Sequence, residues 1–183
     1  MTMRPALFAL AGSLVLVLSA GACPVEGVSP EPGTVLVVKP LAGAAVALGA
    51  AQWAALPAQE RVQRRTVAGA ASATDGVEQS VRYGGVLLRD VLEQTMSAAL
   101  KARHARRLVF EAVATDGYRA VFSWGELFNS AAGEQVLVIG TQDGQPLDVY
   151  EGPLALRPLG DVRPGPRHVR NLCAVVARLL DAP

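Results

Sequence analysis

From Leu108 to Arg170 the chain repeats one pattern: a short apolar, β-branched run, then a turn pair, then another run. Leu108 to Ala114 and Tyr118 to Phe122 flank Asp116-Gly117, a pair that tolerates positive φ and closes a tight hairpin. Val136 to Ile139 and Leu147 to Tyr150 enclose a second such turn at Gln142-Asp143-Gly144. Runs this short and this close leave no room for long helices, so antiparallel strands are predicted. Ser123 with Glu126 three residues on has the form of a capping box, which predicts a short helix over Trp124 to Asn129.

Thr34 to Val38 and Val46 to Leu48 are strand candidates, and Gln52 to Leu56 before Pro57 makes one helical turn. Arg61 to Val67 alternates as a strand with its arginines toward water, and Ala68 to Gly76 reads as a loop. From Leu88 to Leu100 the residues Leu88, Val91, Leu92, Thr95, Met96 and Leu100 recur at helical spacing, so one face should pack on a sheet. Lys101, Arg103, Arg106 and Arg107 follow its carboxyl end and complement the helix dipole, with His104 exposed among them. Val169 to Leu180 suits a helix by its apolar content and a strand by Val175-Val176; both stay open.

The amino-terminal residues carry Arg4, an apolar run from Ala6 to Leu18 and the small triplet Ala20-Gly21-Ala22, which reads as a signal peptide over residues 1–22. A linker over 23–33 and one domain over 34–183 follow, with a periplasmic or secreted destination. No later apolar stretch approaches the roughly 20 residues of a spanning helix, so no transmembrane helix is expected in the mature chain. Cleavage after Ala22 exposes Cys23, a candidate lipid anchor, although the triplet fits ordinary cleavage better. Cys23 and Cys173 can pair, but a buried, inert Cys173 is the plainer reading. A formal net charge of +1 argues against nucleic acid as a partner.

Catalytic and metal chemistry find little support. His104 and His168 have no cysteine or carboxylate at ligand spacing, no Gly-x-Ser-x-Gly elbow is present, and Gly84-Gly85 lacks the spacing of a phosphate loop. That glycine pair reads as a turn before the helix. Arg157, Arg163, Arg167 and Arg170, with His168, stand among Pro158, Gly160, Pro164, Gly165 and Pro166, so several guanidinium forks share one stiff loop suited to phosphate or carboxylate. The alternative is a basic surface loop paired with Asp161, Glu151 and Asp148.

The motifs in their order resemble the molybdopterin-binding domain of sulfite-oxidase-type oxidoreductases: Tyr83-Gly84-Gly85-Val86-Leu87-Leu88, Asp116-Gly117-Tyr118, Asp143-Gly144-Gln145-Pro146-Leu147, Gly152-Pro153-Leu154, and Arg167-His168-Val169-Arg170. The resemblance covers about Gln52 to Leu180. It implies a sulfite-oxidase-like fold, α+β with a mixed, largely β core and short helices, and places Tyr118, Arg157, Arg167, His168 and Arg170 where the family holds its cofactor. Molybdopterin is the cofactor so implied.

Three departures stand against a working redox centre. The metal-binding cysteine that the family carries after the Arg61 to Val67 strand is missing, Ala155 stands where the family has an arginine, and Asp143 replaces the usual asparagine with a charge that repels phosphate. The signal also has Arg4 alone, without the twin arginines of proteins exported with a bound cofactor. The expectation is therefore an exported, non-catalytic binding or accessory module with no bound cofactor, serving an anionic small molecule or a periplasmic protein partner. A molybdopterin-dependent oxidoreductase is the alternative.

Overall fold

The computed structural model describes residues 23–28, 30–69, 72–163 and 165–180; the expected signal peptide lies outside them. In chain order the elements are β1 (Thr34–Lys39), β2 (Val46–Gly49), α1 (Ala50–Ala54), β3 (Ala58–Gly69), β4 (Ser72–Leu87), α2 (Leu88–Lys101), β5 (Leu108–Ala114), β6 (Arg119–Ser123), α3 (Trp124–Phe128), β7 (Val136–Gln142), β8 (Gln145–Pro146), β9 (Ala155–Pro158) and β10 (Leu172–Leu179). Strands dominate and helices are short, a mixed α+β domain. Among the described residues no helix is long and apolar enough to cross a membrane.

Two sheets divide the strands. Sheet A runs β2-β1-β10-β5-β6, with β10 parallel to β1 and antiparallel to β5; sheet B runs β3-β4-β7-β8, with β9 also paired to β7. The main core lies between them, where Leu36, Val38, Phe110, Phe122 and Val175 of sheet A meet Val86, Val138 and Leu156 of sheet B. Helix α2 adds Leu88, Val91, Leu92 and Met96, the stripe its spacing predicts. Ser123 caps α3 by accepting from the Glu126 amide at 3.1 Å.

The open question at the carboxyl end resolves to strand. β10 sits in the middle of sheet A, buried on both faces, and an inner strand of that kind carries a continuous apolar run that periodicity cannot tell from a helix. The outer face of sheet A holds a second cluster of Val37, Val113, Ala174 and Val176, covered by Cys23 and Val28. Cys23 is bonded there to Cys173 across 150 residues of chain, Cα–Cα 5.7 Å. Cys173 is therefore half of a cross-link and not an inert thiol.

Two further expectations change. The loop expected over Ala68 to Gly76 is largely the end of β3 and the start of β4, whose register pairs Val67 with Val77 and Ala68 with Gly76. Only residues 83–87 of β4 pair with β7, so the hairpin of β3 and β4 extends beyond the sheet as a two-stranded ribbon. Gly84-Gly85 lies inside β4 at a register shift and not in a turn. A Cβ on Gly85 would lie 2.1 Å from the Val138 carbonyl oxygen, so glycine is what lets β4 approach β7 here. Likewise 147–150 is turn and not strand, because Asp148 Oδ1 accepts from the amides of Tyr150 and Glu151 at 3.0 and 2.8 Å.

Candidate functional site

At one end of sheet A the β5–β6 turn, the turn at 148–151 and the segment entering β10 enclose an open cleft of ≈ 400 Å³. Asp116, Tyr118, Tyr150, His168, Arg170 and Asn171 are among its walls. Gly117 takes φ +90°, and Asp116 Oδ1 accepts from the Tyr118 amide at 2.9 Å, which sets the Tyr118 side chain at the rim. Its hydroxyl donates to the Pro166 carbonyl, tying the β5–β6 turn to the proline-rich loop.

Asn171 organises the wall. It adopts φ +48°, a left-handed conformation that asparagine tolerates better than most residues, and its Nδ2 donates to the Tyr150 carbonyl at 3.0 Å. Its backbone amide donates to the Glu151 carbonyl and its own carbonyl accepts from Thr115. Gly152 must be glycine beside it, with φ +86° and a would-be Cβ 2.4 Å from the Asn171 side-chain oxygen.

Behind the cleft lies a chain of charge. Arg157, on β9, is only 8% exposed, and so is His168. Arg157 donates to the Tyr83 hydroxyl at 2.6 Å and lies over the Tyr83 ring, 4.6 Å from its centroid. A second arginine nitrogen stands 3.1 Å from His168 Nδ1. A guanidinium has no lone pair to offer, so Nδ1 is the acceptor and the ring proton sits on Nε2, 2.7 Å from Glu151 Oε2. The other oxygen of Glu151 takes the Nε–H of Arg170 at 3.2 Å and is 4.0 Å from Arg157. Arg170 also stacks on Tyr150 and bonds its hydroxyl at 3.4 Å, leaving Nη2 without a partner among the described residues.

The structure thus brings together Tyr118, His168 and Arg170 as cleft walls with Arg157 buried behind them, and it separates Arg167. Arg167 grips Asp161 bidentately through Nε and Nη2, reaches Glu126 on α3 through Nη1 and lies 4.9 Å from the Phe122 ring centroid. The bonds to Asp161, and then the Glu126 carboxylate, raise its pKa above the ordinary arginine value. It pins the loop to α3. Glu151, Tyr83, Tyr150 and Asn171 were not among the sequence-derived site residues. Glu151 had surfaced only as a surface ion-pair partner, and an Asn followed by a strand gives no signal of a left-handed wall residue.

The departures from the family pattern also find places. Asp143, at φ +51°, accepts the Arg82 amide at 2.9 Å and donates its own amide to the Arg82 carbonyl at 2.7 Å, so its side chain closes the edge of β4 away from the cleft. The two cysteines are bonded to each other on the outer face of sheet A, and Cys173 is not a cleft wall. Among the described residues no group of three or more His, Cys, Asp or Glu is placed to hold a metal ion. The thiolate that a sulfite-oxidase-type centre requires is therefore not offered here, whereas the Arg170 fork fits an anionic group.

No protein-family model matches the chain, and no curated protein matches it. Among solved structures, the sulfane dehydrogenase SoxCD from Paracoccus pantotrophus aligns with a TM-score of 0.55 and 15% identity, covering 78% of this chain. The chain spans 37% of the length of that structure. A likeness at this identity concerns the fold alone, and it supports a distant relationship in fold to that structure.

Proposed function

We propose that this is an exported, non-catalytic binding module of sulfite-oxidase-like fold, whose cleft captures the acidic group of a small ligand on Arg170. One observation carries the reading: a half-engaged guanidinium at an open cleft, held in place by the Glu151 carboxylate and by stacking on Tyr150. Guanidinium forks match carboxylate and oxyanion geometry, and a fork already immobilised loses little entropy on binding. Export is supported by the Cys23–Cys173 bond, a cross-link that persists in oxidising compartments, and the sulfur that lipidation at Cys23 requires is taken up in it. Titration calorimetry with propionate and ethanesulfonate tests the site. Binding to the unaltered protein that falls at least tenfold in Arg170→Ala, and not in Arg167→Ala, is the expected result.

The second reading, a molybdopterin-dependent oxidoreductase, has the fold likeness to SoxCD in its favour. Metal and pterin analysis of protein purified from its native compartment separates the two. Stoichiometric molybdenum with pterin sinks the binding-module reading.

A further inference from the structure

The walls of the cleft carry both signs of charge. Arg170 and Asp116 both line it, and Glu151 pairs with Arg170 and stands 4.0 Å from Arg157. Two guanidinium groups, Arg170 and Arg157, thus stand with two carboxylates, Asp116 and Glu151, and Asp148 adds a further negative charge in the adjoining turn. A bare anion entering this cleft is drawn to Arg170 and opposed by Asp116 and Glu151, which weakens its capture. The unused valences nonetheless have opposite sign. Among the described residues Nη2 of Arg170 has no bonding partner, and Asp116 uses Oδ1 for the Tyr118 amide while Oδ2 has none. The exposed Tyr118 also lines the cleft, and an aromatic face in a cleft that holds a carboxylate suits an ammonium group.

Resting on the anion-capture reading, we infer that the ligand is a small zwitterion: a carboxylate or sulfonate on Arg170 and an ammonium group on Asp116 in front of Tyr118. A ligand with both charges satisfies both open valences and carries no net charge into a cleft that has none to spare. The cleft volume of ≈ 400 Å³ lies near the lower end of the roughly 300–1,000 Å³ usual for small-molecule sites. Specificity then rests on the paired charges, because an analogue lacking the amine leaves Asp116 unpaired and pays the repulsion of its carboxylate.

Calorimetry on the full mature chain compares matched probes: β-alanine against propionate, and 2-aminoethanesulfonate against ethanesulfonate. Each zwitterion is expected to bind at least tenfold tighter than its anion, and Asp116→Asn is expected to erase that ratio while leaving the anions bound as well as before or better. Asn retains the Oδ1 acceptor for the Tyr118 amide, so the turn survives; Asp116→Ser is a second variant that keeps an acceptor. Equal affinity of zwitterion and anion for the unaltered protein overturns the zwitterion inference and leaves anion capture standing. A tenfold ratio that persists in both variants also overturns it, by removing Asp116 from the recognition. Binding by none of the four probes overturns both.

Discussion

Tyr83 in β4 and Arg157 in β9 meet across β7 on the outer face of sheet B, the guanidinium donating to the phenol at 2.6 Å and lying 4.6 Å from the ring centroid. Around them Val81, Leu87, Leu137, Ile139 and Ala155 form a small apolar cluster. A cation in such a place is held only by its partners. Arg157→Ala should cost about 3–5 kcal/mol, the range for breaking a buried charge pair, because Glu151 and His168 lose their inner neighbour. Tyr83→Phe removes one bond and should cost about 1–2 kcal/mol. Urea unfolding of both single variants and the double variant measures the coupling; strictly additive losses would show that the contact carries no energy.

Glu151 already occupies the inner edge of Arg170 and the Nε2 side of His168, and so competes with any incoming anion. Glu151→Gln should move two measurements in opposite directions. Stability falls by about 1–3 kcal/mol as a largely buried carboxylate with charged partners is lost, while propionate affinity rises roughly tenfold, about 1.4 kcal/mol. Thermal melting and calorimetry on the same samples check the pair of signs. An affinity that drops along with stability would mean that Glu151 positions Arg170 more than it opposes the ligand.

Cys23 and Cys173 close a loop with a sequence separation of 150, and the residues beside Cys23 cover the outer cluster of sheet A. Replacing both by Ser should lower stability by about 2–4 kcal/mol, mostly by freeing the unfolded chain. Unfolding of the unaltered protein with and without reductant should show the same loss, and the variant should be indifferent to reductant. The cleft lies apart from the bond, so ligand affinity should be unchanged.

Arg167 holds Asp161 and Glu126 and thereby fastens the proline-rich loop to α3. Its side chain is nearly a third exposed, so Arg167→Ala should cost only about 1 kcal/mol. The folded-state pKa is raised above the unfolded value. Its contribution is therefore complete below the unfolded pKa and is lost only as pH climbs through the folded one, in strong alkali. The melting-temperature difference between the two proteins should accordingly stay level from about pH 6 to about pH 10.

At Asp143 the bond to the Arg82 amide needs an oxygen and not a charge. Asp143→Asn should be neutral within about 0.5 kcal/mol. Asp143→Ala should cost about 2 kcal/mol, from the lost bond and from alanine at φ +51°. Chemical denaturation of the two variants distinguishes a requirement for oxygen from one for charge.

What could be read from the chain alone was what depends on neighbours in sequence. Asp116-Gly117 closes its hairpin because two adjacent residues tolerate the turn, Ser123 caps α3 because its own amides are three residues away, and α2 shows its buried stripe every third or fourth residue. The arginine-rich loop was legible for the same reason, as a cluster of guanidinium groups between prolines. Which carboxylate each arginine meets was not, because Arg167 is divided between Asp161 and Glu126, and Arg157 reaches back 74 residues to Tyr83. The tertiary structure alone decided that β10 is a central strand, that Gly84-Gly85 serves close approach of β4 to β7, and that Cys23 meets Cys173. Turns, caps and helical stripes arise from contacts within a few residues, so their chemistry is written locally; pairing across a sheet and the matching of buried charges join segments far apart in the chain, and only their packing in space selects the partner.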